Sequence, residues 1–272
     1  MALVSVSVAS TGLTDLTMPT IGYPQGNTNS PAENSETPNS VKPFLEDPIV
    51  KEAMLLLAKK LPENLHYHNL NHTSDVVEHA VAFAERSGLS ARDVRLIAIA
   101  AAWHDTGFIE RRQNNEPIAA DLAKVAMERS GCFSKNEIAD VVTAILDTQI
   151  TYETQSGTLV QRAMGRLSPW LLDADLANFG RKDFFEKTLK VYHEINDVKV
   201  SSPEELNNEK GIPYLANTVR MLARHTWQTE SARDLLQDGK IQNQENLAVL
   251  LATMIKSTPE SRMNAWQRLL PA

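Results

Sequence analysis

Val94-Arg95-Leu96-Ile97-Ala98-Ile99-Ala100-Ala101-Ala102-Trp103-His104-Asp105 is the stretch that decides the fold. From Val94 to Trp103 it carries one charge, Arg95, and it has no polar back opposite an apolar stripe. A helix of that kind is buried on nearly every side, at the centre of its domain. Ser90-Ala91-Arg92-Asp93 ahead of it resembles a capping box with Asp in place of Glu. Gly107 follows the His-Asp pair, so both side chains stand at the helix end. An apolar helix ending in two ionisable groups costs stability unless something pairs with them.

Outward from this helix the chain reads as all-α. Pro48 after Asp47 suits a first helical position, and Ile49, Val50, Ala53, Met54, Leu57 and Leu61 follow at helical spacing until Pro62. A second helix is expected over 72–87, with Val76, Val77, Ala80, Val81 and Ala84 on one face and Gly88 as its stop. Glu116-Pro117 opens a helix to Ser130, and Ser134-Lys135-Asn136-Glu137 is a full capping box for the next. A polar loop is expected over 151–158. A helix from Ser168-Pro169 then carries Asp173 and Asp175, and Asp183 is placed to cap the following one. Further helices are expected near 212–225, 230–237, 243–256 and 259–270, with no hairpin signal and no sustained period-two run. Residues 1–44 are rich in Ser, Thr, Asn, Pro and Gly and read as a disordered tail before a single helical domain over 45–272.

Composition narrows the function. A formal charge of −7 and a sequence pI near 5.5 argue against a nucleic-acid polymer as partner. No apolar run approaches the about 20 residues needed to span a bilayer, and the first basic residue is Lys42, so neither a membrane nor a secretory route is expected. One cysteine, Cys132, fits a reducing compartment, and a cytoplasmic location is expected. A homo-oligomer remains compatible with all of this.

Five of the seven histidines lie between positions 66 and 104, and Tyr67-His68-Asn69-Leu70-Asn71-His72 holds two of them four apart. In a helix those two imidazoles share a face. His104 and Asp105 can share an ion only if it lies beyond the helix end, where the Asp105 carboxylate can also bridge two ions. Asp175 supplies a second carboxylate from a separate helix. Two imidazoles and two carboxylates suit Mn, Fe, Co, Zn or Mg without choosing among them. The plainer reading stands beside this one: histidines packed in a half-buried helix, and Asp173 and Asp175 complementing a helix dipole.

In these residues the chain resembles the HD-domain superfamily of metal-dependent phosphohydrolases, whose signature is a His, a later His-Asp pair and a distal Asp. The order here is His72, His104-Asp105, Asp175. Tyr67 to His72 with Asp75-Val76, and Ala174-Asp175-Leu176-Ala177-Asn178, are similar to segments of the cyclic-nucleotide phosphodiesterases, a related branch. Asn115-Glu116, Asp173-Ala174-Asp175-Leu176, Thr229-Glu230-Ser231-Ala232 and Asn243 look closer to a bacterial-type group of predicted HD phosphohydrolases. The resemblance covers most of 60–250. It implies a divalent metal ion on His72, His104, Asp105 and Asp175, and hydrolysis of a small-molecule phosphate ester, a nucleotide or a relative, by a metal-activated water. It places His68 as general acid and Glu116 as a residue that orients water or substrate, with Arg111 and Arg112 as candidates for a phosphate. It also allows a non-catalytic module that senses a ligand or partner around a structural metal. Between Asp105 and Asp175 there is no histidine, so the resemblance points to one metal, or to two only through an Asp105 bridge and waters, and Phe108 stands where some nucleotidase relatives have an acid.

Overall fold

The computed structural model describes residues 42–153, 158–197, 210–256, 258 and 264–270. Residues 1–41 of the expected tail lie outside them, as do 154–157 of the expected loop and 259–263 of the helix expected over 259–270. The protein is all-α. In chain order the elements are α1 (Lys42–Leu45), α2 (Pro48–Lys60), α3 (Leu70–Arg86), α4 (Ala91–Trp103), a 3-10 turn (Thr106–Ile109), α5 (Glu116–Ser130) and α6 (Lys135–Asp147). They continue as β1 (Thr151–Glu153), β2 (Thr158–Val160), α7 (Ser168–Asp175), a second 3-10 turn (Ala177–Gly180), α8 (Phe184–Ile195), α9 (Gly211–Arg224) and α10 (Glu230–Lys256).

Helix α4 is the hub. Val94 and every residue from Leu96 to Trp103 are buried, and the helix packs against α2, α3, α5, α6 and α7. The one charge within its apolar run, Arg95, is neutralised at the start of α2. Arg95 Nε donates to Asp47 Oδ2 at 2.7 Å, while Asp47 Oδ1 accepts from the backbone N–H of Ile49 at 2.9 Å. At its other end the indole N–H of Trp103 donates to the Ile49 carbonyl at 3.0 Å. Both ends of α4 are thus pinned to one turn of α2, which fixes where His104 and Asp105 emerge.

The capping box at Ser134 and Glu137 forms in both directions. Four local expectations are corrected. Helix α3 starts at Leu70 because the Asn69 side chain caps it, accepting from the N–H groups of Asn71 and His72; His68 therefore precedes the helix and shares no helical face with His72. The expected loop contains a two-stranded antiparallel hairpin, with Thr151 opposite Val160. Strands of three residues leave too short an alternation to read as a period. The helices expected at 230–237 and 243–256 are one helix, α10, running through Gly239. Asp183 does not cap α8, because its carboxylate is held by the Arg181 guanidinium at 2.7 Å.

Candidate metal centre

Four side chains meet where the ends of α4 and α7 reach the start of α3. His72 lies in the first turn of α3, His104 caps the C-terminus of α4, Asp105 follows it, and Asp175 closes α7. Asp105 has φ −101° and ψ 4°, the bridge conformation that turns the chain out of the helix. That turn lets two consecutive side chains aim at one point, which an uninterrupted helix forbids. The Nε2 of His72 lies 3.4 Å from Asp105 Oδ2 and 3.3 Å from Asp175 Oδ1. The Nε2 of His104 lies 3.2 Å from Asp105 Oδ2 and 3.6 Å from Asp175 Oδ1.

These contacts are not hydrogen bonds. The Nε2 atoms of both histidines and Oδ2 of Asp105 are buried without a hydrogen-bond partner among the described residues. Leaving such groups unmatched costs about 1–3 kcal/mol each, so their convergence calls for something in the middle. The spacing fits an ion. Ligand atoms about 2.1 Å from a metal, at tetrahedral or octahedral angles, stand about 3.0–3.5 Å from one another. His72, His104 and Asp175 form a group that could hold a metal ion, their ligand atoms all lying within 4.8 Å of one another. Asp105 Oδ2 adds a fourth donor beside both imidazoles.

The tautomer of His104 suits that use. His104 Nδ1 faces the Ala101 carbonyl at 2.7 Å, and only an N–H can satisfy that contact, which turns the Nε2 lone pair inward. Burial opposes a charged His104, but Asp105 and then Asp175 more than offset it and hold its pKa well above the usual imidazole range, so an ion bound at Nε2 would displace a proton. On His72 burial wins, and its pKa falls below the ordinary value despite the same carboxylates. Asp175 resists the upward push of burial, because the imidazoles of His104 and His72 hold its pKa far below the usual carboxylate range. Asp105 is held ionised too, because His104 lowers its pKa against the push of burial, so two carboxylates stand ionised beside the two imidazoles.

Asp173 lies elsewhere. Its Oδ1 accepts from the N–H of Gln228 at 2.8 Å, and its Oδ2 accepts from the N–H and hydroxyl of Thr229, both at 2.7 Å. It therefore ties down the start of α10, and of the two aspartates only Asp175 reaches the histidines. Ser231 and Asn243 are also fasteners. The Ser231 hydroxyl donates to the Phe83 carbonyl at 3.0 Å, and the Asn243 amide donates to the carbonyls of Phe179 and Arg181 at 3.0 and 2.8 Å.

His68 sits beside the cluster, its ring centroid 5.7 Å from that of His72 and its side chain 27% exposed. Its ring stacks on Phe108 with centroids 4.3 Å apart. Glu194, from α8, holds it: Oε1 lies 2.5 Å from His68 Nδ1, and Oε2 accepts from the N–H groups of Tyr67 and His68 at 2.9 and 3.0 Å. Burial lowers the His68 pKa, but Asp105 and the bond to Glu194 raise it further, leaving it above the ordinary value. Glu194 was not singled out from the sequence; 126 residues separate it from His68, and no local pattern links them.

Glu116 reaches the same region from the start of α5. Its Oε2 is buried without a hydrogen-bond partner among the described residues. Burial, then Asp105 and Asp175, push its pKa up. Gly107 makes this approach possible, because a Cβ there would stand 2.0 Å from the Asn115 carbonyl oxygen. Arg112 does not face the cluster. Its guanidinium donates to the Glu194 carbonyl at 2.8 Å and to Asp197 Oδ1 at 2.7 Å, bracing the end of α8. Arg111 is exposed and bonds the Asn114 carbonyl. Cys132 is exposed and outside the site.

No family model, curated protein or solved structure matches the chain. Among the described residues no helix is long and apolar enough to cross a membrane.

Proposed function

We propose that this chain is a metal-dependent phosphohydrolase of the HD superfamily, acting on a small phosphate ester such as a nucleotide. One observation carries the reading. Two imidazole nitrogens and two carboxylates converge at 3.2–3.6 Å, and both Nε2 atoms and Asp105 Oδ2 are buried without a hydrogen-bond partner among the described residues. The residues fit a divalent ion, with His72, His104, Asp105 and Asp175 as its holders. Such an ion supplies a Lewis acid that polarises a phosphoryl oxygen and acidifies water.

The flanking residues have complementary tasks. His68 is held at Nδ1 by Glu194, which leaves Nε2 to hand a proton to the departing oxygen of the ester. The stacking on Phe108 restricts the ring to that orientation. Glu116 offers an acceptor with no partner inside the protein, suited to orienting an attacking water or a substrate hydroxyl. The remaining exposure of His68 is the side from which a substrate would come.

The test is a panel of nucleotides and simple phosphate esters, assayed with wild type, Asp105→Ala and His68→Ala after loading with each candidate metal. The expected pattern is hydrolysis of at least one ester by wild type and none by Asp105→Ala. His68→Ala should keep its metal and lose about 100- to 10,000-fold in kcat, the usual worth of a general acid. A fully metallated wild type that is inert on the whole panel contradicts the assignment.

A further inference from the structure

The two oxygens of the Asp175 carboxylate face different partners. Oδ1 looks toward His72 and His104, whereas Oδ2 accepts a hydrogen bond from Gln161 Nε2 at 2.8 Å. The same Nε2 donates to the Thr148 carbonyl, also at 2.8 Å. Both partners are acceptors, so the amide can face them only with its nitrogen, and the side chain has one reading.

Both supports of Gln161 are themselves fixed. Thr148 caps the C-terminus of α6, where its buried hydroxyl donates to the Ile145 carbonyl at 2.7 Å. The chain after Gln161 is pinned to the same end of α6. The N–H groups of Met164 and Gly165 and the hydroxyl of Ser168 all donate to Asp147 Oδ2, at 2.7, 2.8 and 2.6 Å. Ser168 begins α7, the helix that ends in Asp175. Gln161 is thus a strut between a rigid helix end and one candidate ligand.

We propose that Gln161 is a positioning residue that holds the Asp175 carboxylate and thereby sets how tightly the centre binds a divalent ion; this rests on the metal reading given above. A carboxylate free to rotate must be ordered each time an ion binds. The amide bond does that ordering in advance and keeps Oδ1 toward the imidazoles. Because the donor is neutral, it leaves the carboxylate its full charge for the ion. Partners of this kind typically change metal affinity about 10- to 100-fold.

The experiment titrates metal-stripped full-length protein with Mn2+ by calorimetry, for wild type, Gln161→Met, Gln161→Ala and Asp175→Ala. Methionine keeps the length of the side chain and removes the donor; alanine removes both. Weakening of Mn2+ binding by about tenfold or more in both Gln161 variants, with Tm of the metal-free Gln161→Met protein close to wild type, is the expected result. Mn2+ binding by Gln161→Met equal to wild type, with only Gln161→Ala affected, makes Gln161 a packing residue and overturns the proposal. Failure of wild type itself to bind Mn2+ or of Asp175→Ala to lose it contradicts the metal centre instead, and the inference falls with it.

Discussion

At the residue scale, two aspartates two positions apart divide between the candidate metal centre and the scaffold. Asp173 and Asp175 point opposite ways because α7 turns about 200° over two residues. Asp173→Ala should cost about 2–3 kcal/mol of unfolding free energy, since it frees buried donors at the start of α10, while bound metal is retained. Urea unfolding and metal analysis on the same sample check this; loss of metal without loss of stability would reverse the two assignments. Sequence reading could not separate the pair by spacing alone, and only the resemblance favoured Asp175. His72, His104 and Asp105 were more legible, because an ionisable pair at the end of an apolar helix is conspicuous. Glu194 and Gln161 were not, since each acts across a distance that leaves no periodic trace.

At the scale of elements, α10 shows how a helix can look broken and be whole. Gly239 sits inside it because a Cβ there would stand 2.0 Å from the Gly180 carbonyl oxygen, where the second 3-10 turn crosses. Helix propensity favours alanine over glycine by about 1 kcal/mol, but overpacking against backbone costs about 1–3 kcal/mol and more in tight places. Gly239→Ala should therefore destabilise the protein on balance, by about 1–2 kcal/mol in thermal or urea unfolding. A stabilised variant would show that the contact yields. The joint between α9 and α10 carries a pH response. Burial, and to a lesser degree Lys240, lower the pKa of His225 to about 3. The unfolded chain takes up this proton below about pH 6.5 while the native state refuses it until about pH 3. Stability from this group is complete above that window and is lost as pH falls through it, by at most about 1.4 kcal/mol per pH unit. Unfolding at pH 7 and pH 5 should show a smaller loss for His225→Gln than for wild type; equal losses would remove His225 as the cause. The hairpin was the element least open to sequence reading. Its strands are short, and their pairing is a long-range fact that no window of residues contains.

For the whole molecule, the expectation of a helical domain built around 94–105 holds because one feature governs everything near it: a helix without a polar face must be surrounded. Two of the helices that surround it, α3 and α7, bring the other candidate ligands, His72 and Asp175, from their ends. What composition and periodicity left open was the gap in the middle, since two unmatched imidazoles and a carboxylate appear only once helix ends are placed in space. The four residues that the resemblance to HD phosphohydrolases marks as ligands are the four whose side chains line that gap. Metal content decides between a gap that holds an ion and one that does not. Elemental analysis of purified, metal-reconstituted wild type and His104→Ala, per mole of folded chain, is the most direct measurement. About one divalent ion is expected in wild type and almost none in His104→Ala. A wild type that stays metal-free, or a His104→Ala protein that keeps its full complement, would contradict it.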